Sequence, residues 1–120
     1  MGKRDGKREA IYASVVFLAT AILSEVFGTT SLKLAGGFDR PWFCVTTLLC
    51  YVLSFFSFSF ALKGIPISLT YALWSGLGTT LIALIGFFLF KEPLGWLKIT
   101  SLFLIVAGVI GLQLSEFSNP

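Results

Sequence analysis

The sequence predicts an all-α integral membrane protein with four transmembrane helices in each subunit. Of its 120 residues, 56% are hydrophobic and only 12% are charged, whereas soluble domains carry about 25% charged residues. Four stretches, each with at most one charged residue, are long enough to cross the hydrocarbon core of a bilayer. Short links join them, so we divide the chain into a basic tail (residues 1–10), one four-span domain (11–115) and a short C-terminal tail (116–120).

The first span, residues 11–32, carries Glu25 near its centre. A carboxylate at that depth costs roughly 2.5–3.5 kcal/mol on insertion scales, so such residues usually mark ion or substrate paths. We therefore predict that Glu25 binds a proton or a cation. The alternative is a protonated carboxyl that hydrogen-bonds a neighbouring helix. Ala21 and Gly28 share the helix face of Glu25, where small side chains leave room for a ligand or a partner helix.

The second span, residues 42–62, contains no charged residue. Tyr51 and Ser54 are three residues apart and therefore share one helix face, which we expect to line the same cavity as Glu25. Cys44 and Cys50 project from different sides of this helix, so we expect no disulfide between them. The chain has no histidine, and we expect no metal site.

The third span, residues 64–90, places Tyr71 and Trp74 on one face. Trp74 lies too deep for the aromatic belt that anchors helices at the headgroups. Aromatic rings beside a buried carboxylate attract organic cations, at about 0.5–2 kcal/mol each. Gly76 and Gly78 follow, and we predict a hinge there; the alternative is a glycine-based helix contact without a hinge.

The fourth span, residues 94–114, has small residues seven apart at Ser101 and Gly108. Small residues let helices approach closely in lipid, where close packing drives association. We predict that this stripe is the interface between two subunits. Lys98 lies near the start of the span, where its stem can extend to the membrane surface.

The Lys and Arg residues are almost evenly divided between the two sides of the membrane. Because Lys and Arg in short loops set orientation, this weak bias permits insertion both ways up and an antiparallel pair of identical chains. Alternatively, the basic tail fixes one orientation. We expect the tail to contact anionic lipid headgroups, and nothing suggests nucleic acid. Five of the nine lie on the side of the N-terminus: Lys3, Arg4, Lys7, Arg8 and Lys63; four lie on the other: Lys33, Arg40, Lys91 and Lys98.

Several of these segments together resemble the small multidrug resistance transporters, over about residues 11–115. The resemblance implies an antiparallel, dual-topology homodimer in the bacterial inner membrane that exchanges a cation for protons, with no cofactor besides the proton gradient and no enzyme activity. It implies that Glu25 is the coupling carboxylate, that Tyr51, Tyr71 and Trp74 are pocket aromatics, and that the Gly76–Gly78 segment is the hinge. The matching segments are residues 23–30 with Lys33, Gly37-Phe38 with Arg40, Cys50-Tyr51, Ser54-Phe55 and residues 71–78.

The segment around Gly28 resembles the quaternary-ammonium and multidrug branch, because guanidinium exporters usually carry Trp at that position. Phe56 and Gln113 depart from the multidrug pattern, which often has Trp and Asn there. We therefore expect an exporter of lipophilic organic cations. The alternatives are a guanidinium or polyamine exporter, either alone or as half of a heterodimer, and a lipid-linked sugar flippase subunit.

Overall fold

The structure, a computed structural model, describes residues 2–36 and 39–118, and the described part of the chain forms four α-helices. Each is long and apolar enough to cross a membrane, which confirms the predicted all-α membrane fold. Gly37 and Phe38, part of the predicted first link, lie outside the described residues, as do the side chains of Lys3, Arg4 and Lys7. The helices are α1 (Gly2–Ala35), α2 (Pro41–Ala61), α3 (Ile67–Leu89) and α4 (Trp96–Ser118).

The first helix is longer than the predicted first span. It begins at Gly2 and has 34 residues, which at 1.5 Å per residue is about 51 Å. The segment expected to be a separate tail therefore continues α1, because residues 2–10 are rich in good helix formers and contain no proline. The helix ends at Ala35. The next residue, Gly36, has a φ of 64°, a left-handed conformation that favours glycine.

Prolines and a left-handed residue set the other helix ends. Pro41 occupies the first turn of α2, where its missing N–H costs nothing. Helix α3 starts after Pro66, because residues 62–66 form the turn that joins it to α2. After α3, Lys91 adopts a φ of 55°, and the Glu92 N–H then donates to the Gly86 carbonyl at 2.9 Å.

Helices α1 and α2 pack closely through small and hydroxyl-bearing residues. The Ser54 hydroxyl donates to the Ala21 carbonyl at 2.6 Å, and the Thr47 hydroxyl donates to the Gly28 carbonyl at 3.0 Å. Ala21 and Ser54 are almost completely buried. Hydrogen bonds of this kind link neighbouring helices where no water competes, and they hold the two helices in one register.

Helix α3 packs against α1 on one side and against α4 on the other. It is one continuous helix through Gly76 and Gly78. A Cβ built at Gly76 would lie 2.8 Å from Val109 Cγ2 of α4, so Gly76 serves as a close helix contact in this conformation. The hinge stays a prediction. The apolar window of α4 has no buried residue, which leaves α4 free to contact a second subunit.

Candidate functional site

A cavity of about 360 Å³ lies between α1 and α3 and contains the carboxylate of Glu25. Glu25 itself is half-buried. Its Oε2 would lie 3.5 Å from a Cβ built at Gly78, so the carboxylate approaches the α3 backbone where there is no side chain. The lining residues are Glu25 and Thr29 from α1, and Trp74, Ser75, Gly78, Thr79 and Ile82 from α3.

The carboxylate is connected to α2 by two hydroxyl groups. The Thr29 hydroxyl donates to Glu25 Oε1 at 3.0 Å and lies 2.7 Å from the Tyr51 hydroxyl. A hydroxyl has one proton to donate, so Tyr51 donates to Thr29 when Thr29 donates to Glu25. Tyr51 therefore reaches the carboxylate through Thr29 rather than by direct contact.

Trp74 lies at the centre of an aromatic cluster on the cavity wall. Its ring centroid is 5.6 Å from that of Tyr71, at an interplanar angle of 80°. The ring centroids of Phe58 and Phe55 lie 5.1 and 5.9 Å from that of the indole. Offset and edge-to-face contacts of this kind fix ring orientation. The Trp74 indole N–H is buried and has no hydrogen-bond partner among the described residues.

Three residues predicted to bind substrate lie beside this cavity rather than on its wall. Ala21 and Ser54 are in the α1–α2 contact. A Cβ at Gly28 would lie 2.9 Å from Cys50 Cβ and 3.0 Å from Tyr51 Cε1, so Gly28 lets the Tyr51 ring approach α1. In a single subunit these residues support the site through packing. Their predicted contact with substrate stays a prediction.

The remaining predicted residues lie on exposed surfaces of the single subunit. Tyr71 packs on Trp74 but is 57% exposed. Ser101 is exposed on α4 and donates to the Leu97 carbonyl at 2.7 Å. A Cβ at Gly108 would meet no atom within 4 Å among the described residues. The dimer role of Ser101 and Gly108 stays a prediction.

Sequence reasoning did not include four of the cavity-lining residues among its candidates. Thr29 is one helical turn after Glu25, a spacing that places its hydroxyl beside the carboxylate. Ser75, Thr79 and Ile82 follow at intervals of four and three on α3, and this periodicity marks the face that meets α1. The helical spacing was thus available in the sequence, but the pairing of that face with Glu25 required the packing of α3 against α1.

The cavity combines one carboxylate, one indole ring and several hydroxyl groups, and its wall is mostly apolar. No cluster of three or more potential metal-ligating residues occurs among the described residues. A single carboxylate can neutralise a proton or one monovalent cation. The indole face attracts an organic cation in addition, so the arrangement suits a bulky cation that competes with a proton for Glu25.

Comparisons with known proteins identify close similarity over most of the chain. The family model described as Small Multidrug Resistance protein matches residues 13–105. Multidrug resistance protein EbrB of Bacillus licheniformis is 47% identical over 99 residues, covering 82% of this chain and 83% of that protein. Multidrug transporter EmrE of Escherichia coli is 41% identical over 105 residues, covering 88% and 96%. Quaternary ammonium compound-resistance protein QacG of a Staphylococcus species is 38% identical over 98 residues, covering 82% and 92%.

Proposed function

The chain belongs to the small multidrug resistance family, and from that premise we propose that it is a proton-coupled antiporter that exports lipophilic and quaternary organic cations. Members of the family are transporters and not enzymes, and this chain is a multi-pass protein of the bacterial inner membrane. In the proposed cycle Glu25 holds either protons or the cation. Release of one is required before the other binds, so cation export is driven by proton entry.

One observation carries this proposal: the Glu25 carboxylate and the Trp74 indole share one cavity. A charge in the hydrocarbon region is stabilised only by a partner, and no basic residue lines this cavity among the described residues. A proton or a substrate cation would supply the missing partner. Competition for one carboxylate couples the two fluxes if the site changes the side that it faces only when a proton or a cation occupies it.

The packing around Gly28 supports quaternary and lipophilic cations over guanidinium. Even a methyl group at Gly28 would meet Cys50 Cβ at 2.9 Å and the Tyr51 ring at 3.0 Å. The Trp that is usual there in guanidinium exporters has no space in this arrangement of α1 and α2. The name of QacG as a quaternary ammonium compound-resistance protein agrees with this branch.

The proposal includes an antiparallel homodimer. The exposed α4, with Ser101 and Gly108, is the proposed contact between subunits, and a second subunit would close the open side of the Glu25 cavity. The exposed Tyr71 would then lie where the partner can reach it. We propose that the Gly76–Gly78 segment bends as the two subunits exchange conformations, since glycine tolerates the backbone changes that a bend requires.

The function is tested by proton-driven uptake of tetraphenylphosphonium into proteoliposomes. The unmodified protein should take up the cation when a pH gradient is imposed and should release protons when the cation is added in weakly buffered detergent. Glu25→Gln should abolish both signals because it removes the group that protons and cation share. Glu9→Gln is the matched control, because Glu9 is an exposed acid on the same helix; it should leave both signals unchanged.

Two results would contradict the proposal. Full coupled uptake by Glu25→Gln would exclude Glu25 as the coupling group. Uptake of guanidinium without uptake of tetraphenylphosphonium by the unmodified protein would favour the guanidinium alternative.

A further inference from the structure

A second cavity of about 100 Å³ adjoins the Glu25 cavity toward the C-terminal end of α1. The two cavities share Thr29 and Ile82 as lining residues. Lys33 and Glu92 also line the second cavity. Lys33 is eight residues beyond Glu25 on α1, which is about 12 Å along a helix. The second cavity therefore extends from the coupling site toward one membrane surface.

An ammonium group already occupies a cation position at this cavity. Lys33 Nζ lies 5.8 Å from the centroid of the Phe90 ring, within the range at which ring faces attract cations. Phe90 lines the same cavity. The ring and the Glu92 carboxylate together form the kind of surroundings that an organic cation favours, and a tethered cation of the chain itself stands there.

The Glu92 carboxylate is held in place by the end of α3 and by a neighbouring charge. The backbone N–H of Glu92 donates to the Gly86 carbonyl at 2.9 Å. A Cβ at Gly86 would lie 2.8 Å from Glu92 Oε2, so the carboxylate packs directly on the glycine. Lys98 Nζ is 3.8 Å from the same oxygen, and both side chains are partly exposed. Lys98 and Lys91 lie outside the cavity lining.

We propose that this second cavity is the mouth between water and Glu25, and that Lys33 and Glu92 set the relative entry rates of singly and doubly charged cations there. The proposal rests on the function proposed above. Lys33 repels an arriving cation and occupies the Phe90 ring, whereas Glu92 attracts the cation. Lys33 must leave the ring before an organic cation passes it.

Charge number gives the proposal a quantitative signature. A charged group along an entry path creates an electrostatic potential there, and this potential changes the association rate of a charged ligand. The factor is an exponential of the product of that potential and the ligand charge. Removing one such group therefore changes the rate for a dication by the square of the factor for a monocation. A general structural disturbance would change both rates by similar factors.

The test is stopped-flow tryptophan fluorescence with the full-length protein, using tetraphenylphosphonium as monocation and methyl viologen as dication. Lys33→Met should speed association of the monocation about threefold and of the dication about tenfold, as expected for loss of one repulsive charge. Glu92→Gln, which keeps the shape, should slow association of the monocation about threefold and of the dication about tenfold, as expected for loss of one attractive charge. For both variants, the change in association rate relative to the unmodified protein should shrink as ionic strength rises, because salt screens partly exposed charges.

Two variants serve as controls. Lys33→Arg keeps the charge and should match the unmodified protein. Lys63→Met removes the same charge at the α2–α3 turn, away from this cavity, and should leave both rates unchanged.

The outcomes separate this proposal from the proposed function. If the unmodified protein binds both cations but Lys33→Met and Glu92→Gln change their rates equally or not at all, the mouth proposal is overturned. It is equally overturned if Lys63→Met produces the same difference as Lys33→Met. If Lys33→Met binds neither cation, the association rates of Glu92→Gln alone decide whether the mouth proposal stands. Failure of the unmodified protein to bind either cation would overturn the proposed function, and this inference with it.

Discussion

Thr29 donates a hydrogen bond of 3.0 Å to the Glu25 carboxylate, one helical turn before it on α1. The same hydroxyl lies 2.7 Å from the Tyr51 hydroxyl of α2. The carboxylate that we propose as the coupling group is thus oriented by its own helix and, through Thr29, by the neighbouring helix. Hydrogen bonds to charged groups contribute about 1.5–3 kcal/mol, so this connection is strong enough to influence cation binding.

Thr29→Val should weaken tetraphenylphosphonium binding by about tenfold. The substitution keeps the side-chain shape but removes the hydroxyl between Tyr51 and Glu25. A loss of about 1.4 kcal/mol in binding free energy corresponds to a tenfold loss of affinity. Isothermal titration calorimetry measures the affinity. Thr29→Ser keeps the hydroxyl and should retain most of it. Equal affinities for the valine variant and the unmodified protein would show that Thr29 does not orient the carboxylate.

Trp74→Ala should reduce binding of tetraphenylphosphonium by roughly 30-fold, since a desolvated cation–ring contact is worth about 2 kcal/mol. Trp96→Ala is the matched control, because Trp96 is 85% exposed at the start of α4. It should leave affinity nearly unchanged. Similar losses in the two variants, measured by equilibrium binding in detergent, would mean that Trp74 has no special place in the site.

Gly28→Ala should destabilise the subunit by about 1–3 kcal/mol, because an added methyl forces well-packed neighbours apart. It should also weaken cation binding by moving the Tyr51 ring away from Thr29. Circular dichroism during denaturation in mixed micelles measures the stability. Gly6→Ala is the control, since a Cβ there meets no atom within 4 Å among the described residues. A Gly28→Ala variant as stable as the unmodified protein would show that α1 and α2 separate easily at this point.

The sequence was sufficient for those features that depend on local composition and helical spacing. The four apolar spans and the intramembrane position of Glu25 follow from span length and from the transfer cost of charge into lipid. The links follow from the turn-forming prolines and glycines between the spans. The pairing of faces could not be predicted in the same way. That Gly78 rather than Gly76 lies against Glu25, while Gly76 lies against Val109, depends on how α3 is rotated between α1 and α4.

The start of α1 could not be predicted from the sequence for a related reason. Charge density marks where the membrane ends, but a helix can continue into water when its residues favour helix. Residues 2–10 do so. Ser54 and Ala21, both predicted to bind substrate, form a hydrogen bond that joins α1 to α2. Their contact with substrate stays a prediction.

The orientation of the chain should be easy to change. Five Lys and Arg residues lie on the side of the N-terminus and four on the other side. Two added lysines in the first link would raise the second number to six and reverse the bias. Orientation follows this bias in short loops. An antiparallel pair needs both orientations, so the variant should lose uptake activity. Two glutamines at the same positions are the matched control and should leave activity unchanged.

Activity should return when the lysine variant is co-expressed with a variant that carries two added lysines in the second link, because the two chains would then insert in opposite orientations. Single cysteines placed in the links, in a chain with Cys44 and Cys50 replaced by alanine, report orientation by their accessibility to a membrane-impermeant thiol reagent. The unmodified chain should be labelled from both sides. If every active unmodified chain were labelled from one side only, the α4 surface would have to join parallel subunits or a different partner chain, and the antiparallel homodimer would be excluded.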